Sequence, residues 1–458
     1  MDSGENGKNL PPSVSGPAPW LARPAGWHAW AVLGVVLGAA ALRIAYRVPD
    51  GGMDNAIVVR AAEAWLDGRS PYADRHFLYL PGAVLAAVPQ AVFPDAARVL
   101  VPVGVVAALA GGWGCALRVH GVALRSRFAV FGLLGLVLGF APFVHLVELG
   151  NWTVASALAL PLALLCCCRG RWVAAGAVVG AAIAVKPLLV PVLLLFVLAR
   201  RWRALVVAVA VPVAVSVLAA LVLPDPGAFF TRTLPFLLRG DDRFVRLYEA
   251  SPAAVLPRLG VPGAVASLVS VVGAGVGVWC AWLRWRAGGS AAGRVVEASV
   301  ALMLAAFLVS RPSYDHYLLV VLPLLVAGGL GVEGSVVRVP WFWVALVPQV
   351  PGFVWVGVEA LPQRAFKDAF TLCLVAGVVF WVAASRLRRA GGAPPSATGP
   401  GRPGLCPPVP PLADQLPTAG ADQLPTAGMG RSGQRFDPYG ARRVFCLFVM
   451  CIGFLILT

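Results

Sequence analysis

The side chains that could do chemistry gather in four short stretches, each at the end of an apolar run. A carboxylate such as Asp54 can act as a general base, and a lysine such as Lys186 can pair with a phosphate. Ionisable groups beside apolar runs are costly unless they are paired or used, so the stretches predict a site. They are the loop around Asp54, Glu148-Leu-Gly-Asn151, Lys186-Pro187 and Ser310-Arg-Pro-Ser-Tyr-Asp-His316.

Each of these residues also has a purely structural interpretation. Asp54 lies where a helix can start, and an Asp that caps a helix stabilises it by about 1 kcal/mol. Lys186 can extend to a membrane interface, and Arg311 can be an interfacial anchor. His316 alone is typical of an interfacial polar residue, although Asp315 beside it favours a functional role. The residue types leave both interpretations open.

The elements that position these residues must be largely membrane helices. The chain has 458 residues, of which 59% are hydrophobic and 13% charged, with a mean hydropathy of +0.80. A soluble domain is nearer half apolar and a quarter charged, so the lipid bilayer must be the solvent for much of this chain. The net charge of +16 comes from arginine clusters between apolar runs, which are typical of cytoplasmic loops, so we expect no nucleic-acid partner.

The length of the apolar runs predicts an all-α polytopic membrane protein with about twelve transmembrane segments. The proline-rich run Tyr79–Phe93 is predicted to be a re-entrant or surface helix, and the chain is predicted to reverse near Lys186-Pro187. The basic loops then lie in the cytoplasm and the four polar stretches share the outer face. The predicted spans are Trp27–Tyr46, Val99–Leu117, Phe128–Val147, Trp152–Cys168, Val173–Val185, Leu188–Ala199, Ala204–Leu223, Val261–Leu283, Val295–Val309, Tyr317–Gly331, Pro340–Val358 and Ala369–Ala384.

The composition divides the chain into four parts. Residues 1–26 are polar and predict a cytoplasmic N-terminal segment rather than a cleavable signal, and residues 27–389 form the predicted membrane domain. Residues 390–443 are rich in Pro and Gly and repeat one octapeptide at 413–420 and 421–428, which predicts disorder. Residues 444–458 are apolar but short for a span, and their role stays open.

Five motifs follow one another along residues 27–389. They are Asp54 with Glu63-Ala-Trp-Leu-Asp-Gly68, Pro71-Tyr72 with Tyr79-Leu-Pro81, Gly150-Asn-Trp-Thr153, Ala184-Val-Lys186-Pro187 with Arg200–Arg203, and Ser310–Tyr317. Their order and spacing resemble glycosyltransferase family 87, actinobacterial membrane mannosyltransferases of the GT-C superfamily that use polyprenyl-phosphate mannose. Asn151 and Thr153 stand where the family usually has Gln and Asn, and Tyr317 stands where a second His is common.

The resemblance implies a GT-C-type helical bundle in the cell membrane with an outer-face active site. Its implied reaction is the transfer, with inversion, of a hexose, mannose in the family, from a polyprenyl-phosphate donor to a lipid or glycan acceptor. No cofactor is implied, and the outer loops lack a spaced pair of acidic residues, so we expect no essential metal. The alternative interpretation is a secondary transporter with a broken helix at Lys186-Pro187.

The resemblance also suggests roles for individual residues. Asp54 would be the base that deprotonates the acceptor hydroxyl, and His316 would steady the acceptor, the base or the leaving phosphate with Asp315 as its orienting partner. Lys186 and Arg311 would pair with the donor phosphate. The remaining substrate-binding residues that the motifs imply are Asn151, Tyr72 and Tyr79.

Overall fold

The structure, a computed structural model, describes residues 17–48, 51–239, 248–287, 289–330, 334–355 and 360–391. Within these residues the fold is helical and contains no β-strand. The α-helices are α1 (Pro17–Ala22), α2 (Trp27–Arg47), α3 (Met53–Leu66), α4 (Pro81–Val92), α5 (Pro94–Val119), α6 (Arg127–Gly139), α7 (Ala141–Leu149), α8 (Thr153–Cys168), α9 (Trp172–Val185), α10 (Leu193–Leu198), α11 (Trp202–Val222), α12 (Leu234–Arg239), α13 (Pro252–Val255), α14 (Gly263–Arg286), α15 (Ala291–Val309), α16 (Leu322–Ala327), α17 (Pro340–Leu346) and α18 (Ala360–Gly391). Short 3₁₀ helices lie at Pro71–Ala73, Pro187–Val192, Leu256–Leu259, Asp315–Val320, Val336–Arg338 and Val347–Gln349, and a π-helical turn lies at Phe229–Thr233.

The predicted all-α membrane architecture is confirmed, but the twelve spans are not. In the described part of the chain, six helices are long and apolar enough to cross a bilayer: α2, α5, α11, α14, α15 and the stretch Gln363–Arg386 of α18. A seventh span is present if α6 and α7, which meet at a bend of 72°, are one broken crossing. The apolar helices α8 and α9 and the segment Pro187–Leu198 are shorter than a bilayer crossing requires.

Four predicted spans are not continuous helices. The run Phe128–Val147 is divided between α6 and α7, and the run Leu188–Ala199 is divided between a 3₁₀ helix and α10. The described part of Tyr317–Gly331 consists of a 3₁₀ helix and α16, and that of Pro340–Val358 contains α17 and a 3₁₀ turn. In the last two runs, Pro323 and Pro348 stand in the first turn of the second piece. Proline has no N–H to continue the preceding helix but is accepted where a new helix begins, so both runs are interrupted there.

The helices α9 and α11 pack closely and run in the same direction. A Cβ at Gly176 would overlap the carbonyl oxygen of Ala204, and a Cβ at Gly180 would lie 2.9 Å from that of Ala208. The contacts advance along both helices together, so the helices are parallel, and the small residues permit the close approach. The segment that connects the end of α9 to the start of the parallel helix α11 must therefore run back along the length of the pair.

The return runs through the 3₁₀ helix Pro187–Val192 and α10. The rings of Trp172, at the start of α9, and Phe196, in α10, are 6.5 Å apart, and the guanidinium of Arg201 lies 5.2 Å from the Trp172 ring. The predicted reversal near Lys186-Pro187 is therefore confirmed. Lys186 lies at one end of α9, and Arg201 lies at the other.

A small apolar cluster separate from the main core holds α3 and α4 against the Lys186 end of the bundle. It is formed by residues from α3, α4, the connection between them and the end of α11. The indole N–H of Trp65 donates to the carbonyl of Val222 at 3.0 Å, and Gly82 packs against the carbonyl of Ala184. The helix α4 has 12 residues, about 18 Å, which is too short for a span and agrees with the prediction of a re-entrant or surface helix.

The terminal segments fall largely outside the described residues. These include most of the predicted N-terminal segment 1–26, the octapeptide duplication at 413–428 and the apolar stretch 444–458. The division of the chain into parts at both ends therefore stays a prediction.

The parallel packing of α9 and α11 predicts that Asp67 and Arg201 lie on opposite sides of the membrane. Single cysteines introduced by Asp67→Cys and Arg201→Cys should react with a membrane-impermeant maleimide from opposite sides, beyond the labelling of the nine native cysteines. Both side chains are exposed, so accessibility does not limit the reaction. Labelling of both positions from the same side would contradict the reversal.

Candidate active site

Close packing of two glycine-containing turns brings Asp54 to Asn151. Gly52 has a φ of +105° and a Cβ there would overlap the carbonyl of Leu149, while Gly150 has a φ of +59°. L side chains rarely adopt these conformations, and glycine has no Cβ to obstruct the approach. The chain entering α3 therefore passes directly against the end of α7, which is followed at once by Asn151.

Asp54 lies in the first turn of α3 and does not cap it. Gly52 occupies the capping position, and no side chain bonds to the free N–H groups there. The carboxylate of Asp54 instead accepts a hydrogen bond from the side-chain amide of Asn151. A negative charge in the first turn is still favoured by the helix dipole. The capping interpretation thus does not apply, and the carboxylate faces a polar partner from another helix.

One amide joins the carboxylate of Asp54 to the ammonium of Lys186. Nδ2 of Asn151 donates to Asp54, and Oδ1 accepts from Nζ of Lys186 at 2.8 Å and from the backbone N–H of Thr153 at 2.8 Å. Nζ of Lys186 also donates to Oγ1 of Thr153 at 2.8 Å. An amide offers a donor to one side and an acceptor to the other, whereas an ionised carboxylate could only accept.

Lys186 is a half-buried cation held by neutral groups. Besides Asn151 and Thr153, it has the rings of Tyr79 at 5.6 Å and Tyr317 at 5.2 Å from Nζ. Within the described ranges no carboxylate forms an ion pair with it. Shielding from water lowers the pKa of Lys186 to about 8, and the charge of Asp54 opposes that shift. Such a cation favours an anionic ligand.

These residues open onto a cleft of about 480 Å³. The predicted site residues that line it are Asp54, Asn151, Lys186 and Tyr79. Tyr314, Tyr317, Arg60 and His76 line it as well. The sequence motifs did not indicate Arg60 or His76. The spacing of Met53, Ile57 and Arg60 along α3 places them on one helical face, so helical periodicity could have found Arg60.

The other four predicted site residues do not line the cleft. Tyr72 is buried, with its hydroxyl 3.5 Å from the carbonyl of Tyr79, so it supports a cleft residue from behind. Arg311 donates to the carbonyl of Ala253 at 3.2 Å. Asp315 and His316 are both buried behind Tyr314 and Tyr317. The catalytic role of His316 and the substrate-binding roles of Tyr72, Arg311 and Asp315 stay predictions.

Asp315 and His316 form a second polar group, which includes His145. Asp315 accepts the backbone N–H of His316 at 2.7 Å, and its other oxygen lies 2.5 Å from Nδ1 of His145. Burial alone would raise the pKa of Asp315, but hydrogen bonds from His145 and His316 outweigh it, so the pKa lies below its usual range. Burial lowers the pKa of His316 and favours its neutral form. The motifs gave no signal for His145.

The family assignment follows from a sequence comparison. The profile of glycosyltransferase family 87 matches residues 77–310, just over half of the chain. The chain belongs to glycosyltransferase family 87. The matched range of this family 87 chain contains Tyr79, Asn151 and Lys186 but begins after Asp54, so the placement of Asp54 in the cleft rests on the geometry described above.

Curated relatives of this family 87 chain are named alpha-(1->3)-arabinofuranosyltransferase. The Mycobacterium tuberculosis protein is 34% identical over 189 residues, which is 38% of this chain and 41% of the relative. The Corynebacterium glutamicum protein is 27% identical over 247 residues, 49% and 56% of the two chains. The Mycolicibacterium smegmatis protein is 28% identical over 281 residues, 60% and 64% of the two chains. The chain thus matches less than two thirds of each relative's length, and no solved structure matches it.

The glycine packing predicts that Gly52→Ala damages the site more than Gly68→Ala. An alanine at Gly68 costs about 1–2 kcal/mol of backbone strain, and one at Gly52, with φ +105° and ψ +150°, costs roughly 1–3 kcal/mol. A Cβ at Gly68 meets nothing within 4 Å, whereas at Gly52 it overlaps Leu149 and adds a further ~1–3 kcal/mol. Thermal unfolding in detergent should show the difference, and equal destabilisation would contradict the proposed close approach.

Proposed function

We propose that this chain transfers an arabinofuranosyl unit from a polyprenyl-phosphate donor to a hydroxyl of a lipid or glycan acceptor at the outer face of the cell membrane. Membership in a glycosyltransferase family supports glycosyl transfer over transport. The observation that carries the proposal is the pairing, through Asn151, of a carboxylate with a cation that has neutral partners in one cleft. Glycosyl transfer from a phosphate donor needs a base for the acceptor hydroxyl and a positive charge for the leaving phosphate, and this pair supplies both.

The proposed reaction is a single displacement. The carboxylate of Asp54 takes the proton of the acceptor hydroxyl as that oxygen forms a bond to the anomeric carbon of the donor sugar. The bond from that carbon to the phosphate oxygen breaks, and its electron pair leaves with the polyprenyl phosphate. The ammonium of Lys186 stabilises the charge on the departing phosphate. Attack opposite the leaving group inverts the configuration, and the lysine supplies the positive charge without a metal ion.

The names of the relatives support arabinofuranose as the sugar, whereas the motifs resemble those of mannosyltransferases. The test supplies membranes containing the chain with polyprenyl-phosphate arabinofuranose or polyprenyl-phosphate mannose, each radiolabelled in the sugar. Label in a new lipid or glycan product from the arabinose donor supports the proposal. Product from the mannose donor alone would correct the sugar, and no product from either would contradict glycosyl transfer from this class of donor.

Replacement of Asp54 separates catalysis from structure. Asp54→Asn keeps the hydrogen bond from Asn151 but cannot take a proton, so the transfer rate should fall by roughly 10²–10⁴-fold while donor binding persists. The matched control is Glu63→Gln, which removes an exposed carboxylate from the same helix and should leave the rate unchanged. Near-normal turnover by purified Asp54→Asn would remove Asp54 from the chemistry.

Replacement of Lys186 tests the contact with the donor phosphate. Lys186→Ala should weaken polyprenyl-phosphate binding by about ten- to a hundredfold, because a charge-assisted hydrogen bond is worth roughly 1.5–3 kcal/mol. Lys186→Arg should restore part of the affinity. The control is Lys367→Ala, since Lys367 bonds to the carbonyl of Phe353 at 2.9 Å and lies outside the cleft. Unchanged binding by Lys186→Ala would leave Lys186 as an interfacial anchor.

A further inference from the structure

A polar pair outside the cleft joins two segments that are far apart in the chain. Nδ1 of His145, in α7, lies 2.5 Å from Oδ2 of the buried Asp315, with 170 positions between them in sequence. His145 is not among the residues that line the cleft. Any effect of His145 on the reaction must therefore act through another residue, and Asp315 is its closest polar neighbour.

Both carboxylate oxygens of Asp315 are engaged. Oδ1 accepts the backbone N–H of His316 at 2.7 Å and lies 3.2 Å from Nδ1 of its ring, while Oδ2 is taken by His145. Nη2 of Arg364 lies 3.7 Å from Oδ2 as well. A carboxylate that accepts hydrogen bonds from several sides is better suited to fixing the backbone of its own segment than to accepting a proton from a substrate. Asp315 thus acts as a clamp that holds the start of the 3₁₀ helix Asp315–Val320 against α7.

Both clamped elements lead directly to residues that line the cleft. The helix α7 ends at Leu149, and Asn151, two residues later, donates a hydrogen bond to the carboxylate of Asp54. Tyr314 and Tyr317 flank the clamp in sequence and line the cleft. The ring of Tyr317 also lies 5.2 Å from the ammonium of Lys186. The bond between His145 and Asp315 therefore links the segment that precedes Asn151 to the segment that carries Tyr314 and Tyr317.

We propose that His145 is a positioning residue for glycosyl transfer, because its bond to Asp315 holds Tyr314 and Tyr317 in place relative to Asn151 and Asp54. The catalytic part of this inference rests on the proposed function, whereas the structural part does not. Removal of His145 leaves a buried carboxylate with fewer partners, which is unfavourable, so the loop relaxes and the cleft loses its shape.

The first test compares His145→Ala with His120→Ala in the full chain reconstituted in nanodiscs. His120 is a matched control, since its Nε2 lies 3.0 Å from the carbonyl of Leu324 and joins segments 204 positions apart away from the cleft. Both variants should unfold at lower temperature. Only His145→Ala should lower kcat, by about ten- to a hundredfold, the usual cost of a small misplacement of reacting groups. His145→Gln, which keeps an N–H donor, should recover part of the rate, and a wild-type kcat in His145→Ala would overturn the positioning role.

A second measurement follows the loop without a transfer assay. Ser313 is only 1% exposed, so a thiol introduced by Ser313→Cys should resist a maleimide in the otherwise unchanged chain and in combination with His120→Ala. Combination with His145→Ala should expose it to labelling. Continued protection there would overturn the inference whether or not the chain transfers a sugar. Exposure there, together with a wild-type chain that transfers no sugar, would support the clamp and contradict the proposed function alone.

Discussion

A partly buried ammonium that must be satisfied by neutral groups is the interaction on which the rest of the site depends. Lys186 donates hydrogen bonds to Asn151 and Thr153, so the end of α9, the turn after α7 and the start of α8 must meet at one point. The break after α9 frees the lysine from a continuous helix, and proline at the next position maintains that break. The same amide then orients Asp54, so one constraint positions both charges.

Part of this site could be predicted from the sequence. Asp54, Asn151 and Lys186 each follow the end of an apolar run, and the arginine clusters assign those ends to one face, so their convergence follows from topology. The contact between His145 and Asp315 could not be predicted in this way. It depends on how two non-adjacent segments pack, and neither helical periodicity nor hydropathy carries information about such packing.

Hydropathy predicted where the chain is apolar but not where its helices are continuous. The residues of Tyr317–Gly331 are apolar because many of them are buried within the protein, and an interior is as apolar as lipid. The length of an apolar run therefore could not distinguish a broken segment inside the protein from a helix that spans the membrane. The helix α11 differs, because most of its large apolar side chains are exposed as expected for a surface in contact with lipid.

The contact between Asp54 and Asn151, which the glycine packing at Gly52 and Gly150 permits, has a consequence for biosynthesis. Asp54 leaves the ribosome 97 residues before its amide partner Asn151, and Lys186 follows 35 residues later still. Tyr314 and Tyr317 are the last of the residues lining the cleft to be synthesised. Until the later segments have been made, α3 carries the carboxylate of Asp54 without its amide partner, so the lining of the cleft is complete only once translation has passed residue 317.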